Sequence, residues 1–362
     1  MTALSRRLTL VSALWLGLSA FCRPAAVRAE DAGGQPAEVR ALSECWKAAV
    51  EELDAPAAIS PYAEDFLLGG TTRSGHWRAY LARFERIRKQ HATLSVQPLV
   101  QNVEFWKFEG DSTAEFADVD LAIRWEEQWA GQRRACRMAC PLRLRREGSE
   151  WKACGDQVRT QCALQVGYDG RDYVLTLTAR SAWPSFPSQA LVKGPGLKPI
   201  RLRKKGNDAL GHPYVTETAY VATKPAVGLT YMFQVPYKNG SENIARAVRG
   251  AVDLTPAILE PAADAAIAEW PLTVRWQDVS ASVKDFSNYE VHVRRLEDNA
   301  ALYVLRSIPA DQTEVTVGAT KPECAALSCD RPCRIEVYAL DMHGNYSVAR
   351  TAVRLPAPAE SD

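Results

Sequence analysis

The sequence lacks the marks of most familiar enzyme classes. Past its first thirty residues no stretch reaches eighteen uninterrupted apolar residues, so it offers no candidate membrane-spanning helix. Only five histidines occur: His76, His91, His212, His292 and His343. None forms His-x3-His, and no Glu is arranged with them as a metalloprotease needs. Gly-x-Ser-x-Gly, Gly-x4-Gly-Lys-Ser and Gly-x-Gly-x2-Gly are absent, which weighs against the hydrolase, nucleotide and dinucleotide classes. An excess of one charge is missing too. Lys and Arg number 44 against 43 Asp and Glu, a formal net charge of +1, so no global field draws in nucleic acid or anionic lipid. The expectation is therefore no catalytic residue that can be named, no cofactor, no metal and no nucleic-acid partner.

What is present begins with a leader. Arg6-Arg7 precedes an apolar run from Leu8 to Phe21, and Val27-Arg28-Ala29 stands just before Glu30. A charged start, an apolar run of about fourteen residues and a small-residue cleavage site are the layout of a secretory signal peptide. A lipoprotein signal would want a small residue where Phe21 precedes Cys22, and the Arg pair also suits an ordinary leader. Residues 1–29 are expected to be removed after Ala29, leaving a periplasmic or secreted protein.

Eight cysteines follow the leader: Cys45, Cys136, Cys140, Cys154, Cys162, Cys324, Cys329 and Cys333. An even count in an oxidising compartment reads first as disulfides. Five precede residue 163 and three follow residue 323, so the pairing stays open. Cys136-x3-Cys140 and Cys329-x3-Cys333 are not the two close pairs that a zinc site uses. Two basic stretches, Arg133-Arg134-Arg137-Arg143-Arg145-Arg146 and Arg201-Arg203-Lys204-Lys205, read as solvated faces, with polyanion binding as the alternative.

From Pro36 to about Gln157 the pattern is mixed. Leu42, Cys45, Trp46, Ala49, Val50 and Leu53 recur at helical spacing, and Asp54 with Pro56 breaks that helix or starts a short second one. Ser74 is a candidate N-cap for a helix through Tyr80, Leu81, Phe84 and Ile87. Leu94 and Val96, then Val103 and Phe105, read as two strands. Ala117, Val119, Leu121, Ile123 and Trp125 share one face of a long third strand, and Leu142–Lys152 reads as a hairpin. Helices followed by a curved antiparallel sheet make an α+β unit.

Trp46, Asp54, Tyr62, Asp65-Phe66, Trp77 and Gly148-Ser149-Glu150-Trp151-Lys152 resemble the nuclear transport factor 2-like fold, nearest to SnoaL-like proteins and to a C-terminal module of some L,D-transpeptidases. The resemblance spans about 120 residues. It implies a cone whose sheet wraps a helix and leaves a pocket, which relatives use for isomerase, dehydratase or cyclase chemistry or simply for binding. Tyr62, Asp65, Trp77 and Trp125 are the expected pocket residues.

After about Ala163 the chain reads as all-β. Tyr173–Thr178 is strand-like, Pro and Gly recur at short intervals, and Trp183 and Phe186 sit in a Pro-rich loop that could meet a partner or glycan or simply be anchored by these rings. Leu254–Pro261 looks like a linker. Thr230–Val235 leads through Asn239-Gly240 to Ile244–Val248, and about a hundred residues later Arg334–Ala339 leads through Gly344-Asn345 to Val348–Val353. Two sandwich hairpins explain this repeat. Val337–Asn345, Trp276 and Tyr289-Glu290-Val291 resemble a fibronectin type III module over residues 262–357, while the earlier copy resembles it less and suits another immunoglobulin-like variant.

The expected architecture is multi-domain: a cone-shaped α+β domain (36–160), a β-sandwich (163–254) and a fibronectin type III-like sandwich (262–357). The expected function is an exported, non-enzymatic binding or scaffold protein of the cell envelope, its partner a protein, a glycan or a small molecule. The alternatives are an enzyme using the cone pocket for proton transfer or hydrolysis, and an accessory module of cell-wall machinery.

Overall fold

The computed structural model describes residues 35–107, 115–181, 186, 189–207, 212–267, 271–318 and 332–355. The leader, Trp183, Cys324 and Cys329 lie outside the described residues.

The chain opens with α1 (Gln35–Glu51) and α2 (Ala55–Ile59). Asp54 separates them as a cap, its Oδ1 accepting from the Ala57 N–H at 3.0 Å. This satisfies a donor at the start of α2 that no intrahelical carbonyl can reach. A two-residue hairpin, β1 (Leu67–Leu68) and β2 (Thr71–Thr72), leads into α3 (Arg73–Lys89). Thr72, not Ser74, caps α3, accepting from the Gly75 N–H.

Four antiparallel strands follow in sequence order: β3 (Thr93–Lys107), β4 (Glu115–Trp129), β5 (Gln132–Glu147) and β6 (Glu150–Ala153). The two short strands read around Leu94 and Val103 are one strand, with a register shift between Val100 and Asn102. Ala117, Val119, Leu121, Ile123 and Trp125 share one face of β4 and are buried with Val50, Phe84 and Ile87 from the helices. Two indole and backbone bonds fix α1 across this sheet: Trp151 Nε1 donates to Glu38 Oε2 at 2.9 Å, and the Val96 N–H donates to Glu51 Oε1 at 2.8 Å.

Among the described residues after 160 the regular structure is strand, apart from one 3-10 turn at Ser280–Ser282. The first β unit contains β7 (Gln161–Tyr168), β8 (Tyr173–Arg180), β9 (Ala190–Gly194), β10 (Leu197–Leu202), β11 (Lys204–Asn207), β12 (Pro213–Val221), β13 (Thr230–Tyr237) and β14 (Gly240–Ala247). One of its layers is β10-β9-β13-β14 and the other is β11-β12-β8-β7. Alternation fills the space between them: Val192, Tyr231, Phe233 and Val235 face Leu175, Leu177 and Val215.

The second unit contains β15 (Ile258–Glu260), β16 (Ala265–Ala266), β17 (Leu272–Trp276), β18 (Phe286–Arg295), β19 (Ala301–Ile308), β20 (Glu314–Val317), β21 (Pro332–Asp341) and β22 (Tyr346–Arg354). Its layers are β15-β17-β20 and β22-β21-β18-β19 around Trp276, Tyr289, Val291 and Val337. The segment read as a linker contributes β15, which pairs with β17. Both halves of the sequence repeat are hairpins, β13–β14 and β21–β22. The fold class is therefore an α+β region followed by all-β units that resemble sandwiches.

These units are not beads on a string. β7 of the first sandwich pairs in parallel with β22 of the second, through Gly167 with Tyr346 and Tyr168 with Ser347, so one nine-stranded sheet runs through both. The Val166 N–H donates to Asn345 Oδ1 at 2.9 Å, and Asn345 Nδ2 donates to Asp341 Oδ2 at 2.8 Å. Gly167 is required at the seam: a Cβ there would lie 2.4 Å from Cζ of the Tyr346 ring. The α+β unit docks on the second sandwich through β5. Beyond the reach of β6, the Arg137 and Ala139 N–H groups on the open edge of β5 donate to Ser287 Oγ at 3.1 Å and to the Met342 carbonyl at 2.9 Å. Donors two residues apart point the same way, so this capping closes an edge that could otherwise recruit a foreign strand.

The disulfide expectation is overturned. Among the described residues no two sulfurs stand at bonding distance. Cys45 is exposed on α1, Cys136 and Cys140 point from β5, Cys154 and Cys162 lie on either side of the connection into β7, and Cys333 starts β21. The physical reason is packing: Cys136 belongs to the α+β core, Cys162 to the first sandwich and Cys333 to the second, three separate cores that keep them apart. The first basic stretch is likewise neutralised. Arg133 pairs with Glu126 and Asp311, Arg137 with Asp285, Arg143 with Asp118, Arg145 with Asp65 and Glu147, and Arg146 with Glu115, while Arg134 lies over the Trp129 ring.

Candidate functional site

Between α1 and the sheet lies a partly open cavity of about 80 Å³. Val39, Leu42, Ser43 and Trp46 line one wall. Their spacing of three, four and seven places them on one face of α1. Val119, Leu121 and Ile123 from β4 and Cys140, Leu142 and Leu144 from β5 make the floor. Alternation puts each trio on one sheet face, and the register sets Val119 against Leu142 and Leu121 against Cys140. Pro61, Tyr62 and Ala153 close the end.

The walls carry few polar atoms. Trp46 Nε1 donates to Tyr80 Oη at 2.9 Å, and the Tyr80 and Tyr62 hydroxyls share a hydrogen bond of 3.2 Å. Burial, then the neighbouring Tyr80 hydroxyl, raises Tyr62 well above the usual phenol value, and burial raises Tyr80 as well. Burial pushes the Cys140 thiol up to about 11. Ser43 Oγ donates to the Arg40 carbonyl at 2.8 Å. Each of these groups is neutral near pH 7, and none is a strong acid or base. His76 stands behind the cavity end, its ring 5.6 Å from Tyr62 and 5.0 Å from Phe66. Burial and then the charge of Arg180 push it down to about 4, so it is an uncharged imidazole in apolar company.

Of the four residues expected at a pocket, Tyr62 lines the cavity. Asp65 is exposed and forms a two-pronged pair with Arg145, at 2.9 Å on both oxygens, whose hydrogen bonds hold its carboxyl below the usual range. Trp77 is half-buried against the α+β core. Trp125 is buried on the same face of β4 as the cavity floor but further along. Its Nε1 donates to Glu127 Oε1 at 3.0 Å, and the Arg83 guanidinium sits 3.5 Å above its ring. Phe186, which the sequence leaves as either a partner contact or a loop anchor, packs on the first sandwich core as an anchor does.

Sequence reasoning missed Ser43, Tyr80 and Cys140 as members of the site. In the sequence Tyr80 reads as a helix-face residue, and Cys140 reads as a crosslink with a metal ligand as the alternative. The signal that could have found the cavity is the agreement of two periods, 39-42-43-46 on a helix and 119-121-123 with 140-142-144 on paired strands. Among the described residues no group of His, Cys, Asp or Glu converges as metal ligands would, and no helix is long and apolar enough to cross a membrane.

The fold and site together define a multi-domain chain with an apolar pocket in its α+β unit and two β units that resemble sandwiches. No family model matches the sequence, and no curated protein matches it. Among solved structures it is similar to the full ectodomain (Ig1–Ig3) of mouse nectin-like molecule 4, with 10% identity, 74% of this chain and 96% of that chain covered, and a TM-score of 0.19.

Proposed function

We propose that this chain is an exported binding and scaffold protein of the cell envelope. Its α+β unit takes a compact apolar group into the cavity beneath α1, and its sandwiches hold that unit in place. The observation that carries the reading is the lining itself: ten apolar side chains, and polar groups that stay neutral at physiological pH. An apolar wall with a few placed hydroxyls suits binding. Proton transfer would need a carboxylate or imidazole within hydrogen-bond reach of the ligand.

The size narrows the ligand. Pockets for drug-sized molecules run to about 300–1,000 Å³, whereas a cavity of about 80 Å³ suits a branched aliphatic chain with one hydroxyl or carbonyl near Tyr62.

The finer fold reading belongs to the same proposal. Three helices packed on one antiparallel sheet, with a cavity between, support a nuclear transport factor 2-like cone over residues 36–160. Layers of three and four strands support a fibronectin type III-like module over 262–357, with a second sandwich over 163–254. Export rests on the leader alone and places the mature chain in the periplasm or outside the cell.

Methyl-resolved nuclear magnetic resonance with 3-methylbutanol tests the pocket. Val39, Leu42, Leu121 and Leu142 methyls are expected to shift together and saturably, and Ala153→Leu to abolish the response by filling the space. Unmoved methyls throughout the millimolar range would sink the proposal.

A further inference from the structure

The fold treats the two basic stretches of the sequence in opposite ways. The first is consumed by ion pairs. The second extends back to Lys193. The side chains of Lys193, Lys198, Arg201, Arg203 and Lys205 are all exposed, and none has an ion-pair partner among the described residues. Arg201 makes one long hydrogen bond, 3.5 Å to Gln189 Oε1.

Topology gathers these charges on one side of the first sandwich. β10 is the edge of the four-stranded layer and β11 is the edge of the nine-stranded sheet. The chain passes from one to the other through Arg203. Lys193 projects outward from β9, since Ala190 and Val192 before it are buried in the core. Arg201 stands in register beside Leu191, on the face opposite buried Leu202. From Lys198 to Lys205 the chain covers about 23 Å, at about 3.3 Å per extended residue. Lys193 and Arg201 thus share the outer face of the four-stranded layer, and Lys198, Arg203 and Lys205 continue along its edge and across to β11, on a protein whose net charge is only +1.

Protection of the sheet edges accounts for part of this pattern, because lysines on edge strands discourage pairing with other chains. It does not account for Lys193. β9 is paired on both sides, with β10 and with β13, and has no edge to protect.

We propose that this strip docks a linear acidic polysaccharide. Lysines offer point charges and arginines flat forks to sulfate and carboxylate groups strung along such a chain. Nucleic acid fits less well. Beside Leu191 and Lys193 on the outer face lie Gln234 and Met232 of β13, and these offer no ring for a base to stack on. The proposal stands apart from the cavity, which lies in another unit.

The test is titration calorimetry of the purified protein with a size-defined heparin oligosaccharide over a series of salt concentrations. Five contacts at roughly 0.7–0.9 released counterions each predict a slope of log affinity against log salt of about −3.5 to −4.5. Replacing Lys193, Lys198, Arg201, Arg203 and Lys205 by Ser should weaken binding at least a hundredfold at low salt. The same number of Ser replacements at Arg78, Lys89, Arg124, Lys238 and Arg354 should leave it within threefold. Circular dichroism of both variants confirms that they fold, and Lys193→Glu alone, which leaves both sheet edges intact, should weaken binding tenfold. No binding by the unaltered protein at low salt overturns the proposal, as does equal loss in the control variant. Equal affinity for a DNA single strand of matched charge overturns the choice of polysaccharide.

Discussion

The seam between the sandwiches offers the sharpest quantitative test, through Asn345→Ala. Asn345 is 2% exposed and does two things at once. Its Oδ1 accepts from the Val166 N–H across the junction, and its Nδ2 donates to Asp341 within its own hairpin. The substitution orphans a buried backbone donor, costing about 1–3 kcal/mol, and strips one donor from a carboxylate, costing about 1.5–3 kcal/mol more. A total of about 2.5–6 kcal/mol is expected.

Acidity gives the loss a signature. Burial raises Asp341 to about 6, with the Asn345 bonds opposing that rise. A carboxyl whose folded pKa lies above its unfolded value destabilises the fold when ionised. Stability from this group is therefore fully present below the unfolded value near 4 and is lost as pH rises through about 6, by about 3 kcal/mol at 1.36 kcal/mol per unit. Removing Asn345 raises the folded value further, so the deficit should be larger at pH 8 than at pH 5. Urea unfolding at both pH values, with hydrogen exchange of the Val166 amide, measures each part. A deficit under 1 kcal/mol, or one independent of pH, would refute the reasoning.

Two further outcomes are expected. With native protein at pH 8, iodoacetamide should modify Cys45 first, while Cys136, Cys154 and Cys162 react only after unfolding, because they are buried and burial pushes their thiols to about 11 or 12; mass mapping in which one of those three reacts before Cys45 contradicts the structure. Glu127, buried between Arg83, Arg86 and the Trp125 indole, is held below the usual carboxylate range by the two arginines against the opposing effect of burial. Glu127→Leu should therefore cost about 3–5 kcal/mol by leaving buried guanidinium groups unpaired, whereas a cost near zero in urea titration would show that stacking on Trp125 suffices.

Much of the fold was legible because it rests on short-range periodicity. The helical spacing from Leu42 to Val50, the alternation from Ala117 to Trp125 and the hairpin repeat all became elements of the expected kind, while Leu53 falls just past the helix end. Ser74 lost the capping role to Thr72 because both can accept, and only the backbone decides which stands one residue before the helix. The cysteines misled because an even count says nothing about distance, and three different cores claimed Cys136, Cys162 and Cys333. The pairing of β7 with β22 had no sequence signal, since it joins residues almost 180 apart through two register positions and one asparagine. The cavity was half legible. Tyr62 was singled out, but Tyr80 and Cys140 became neighbours of the space only once α3 and β5 were packed.

The shared sheet also bears on how the molecule could be divided. Cutting the chain between the sandwiches would bare a ribbon flank on each fragment, at Gly167 and Tyr168 on one and at Tyr346 and Ser347 on the other. Each piece would then carry backbone amides that the junction had paired. Fragments made that way should clump or find each other again, and reunion on mixing would be a direct readout of how much the junction contributes.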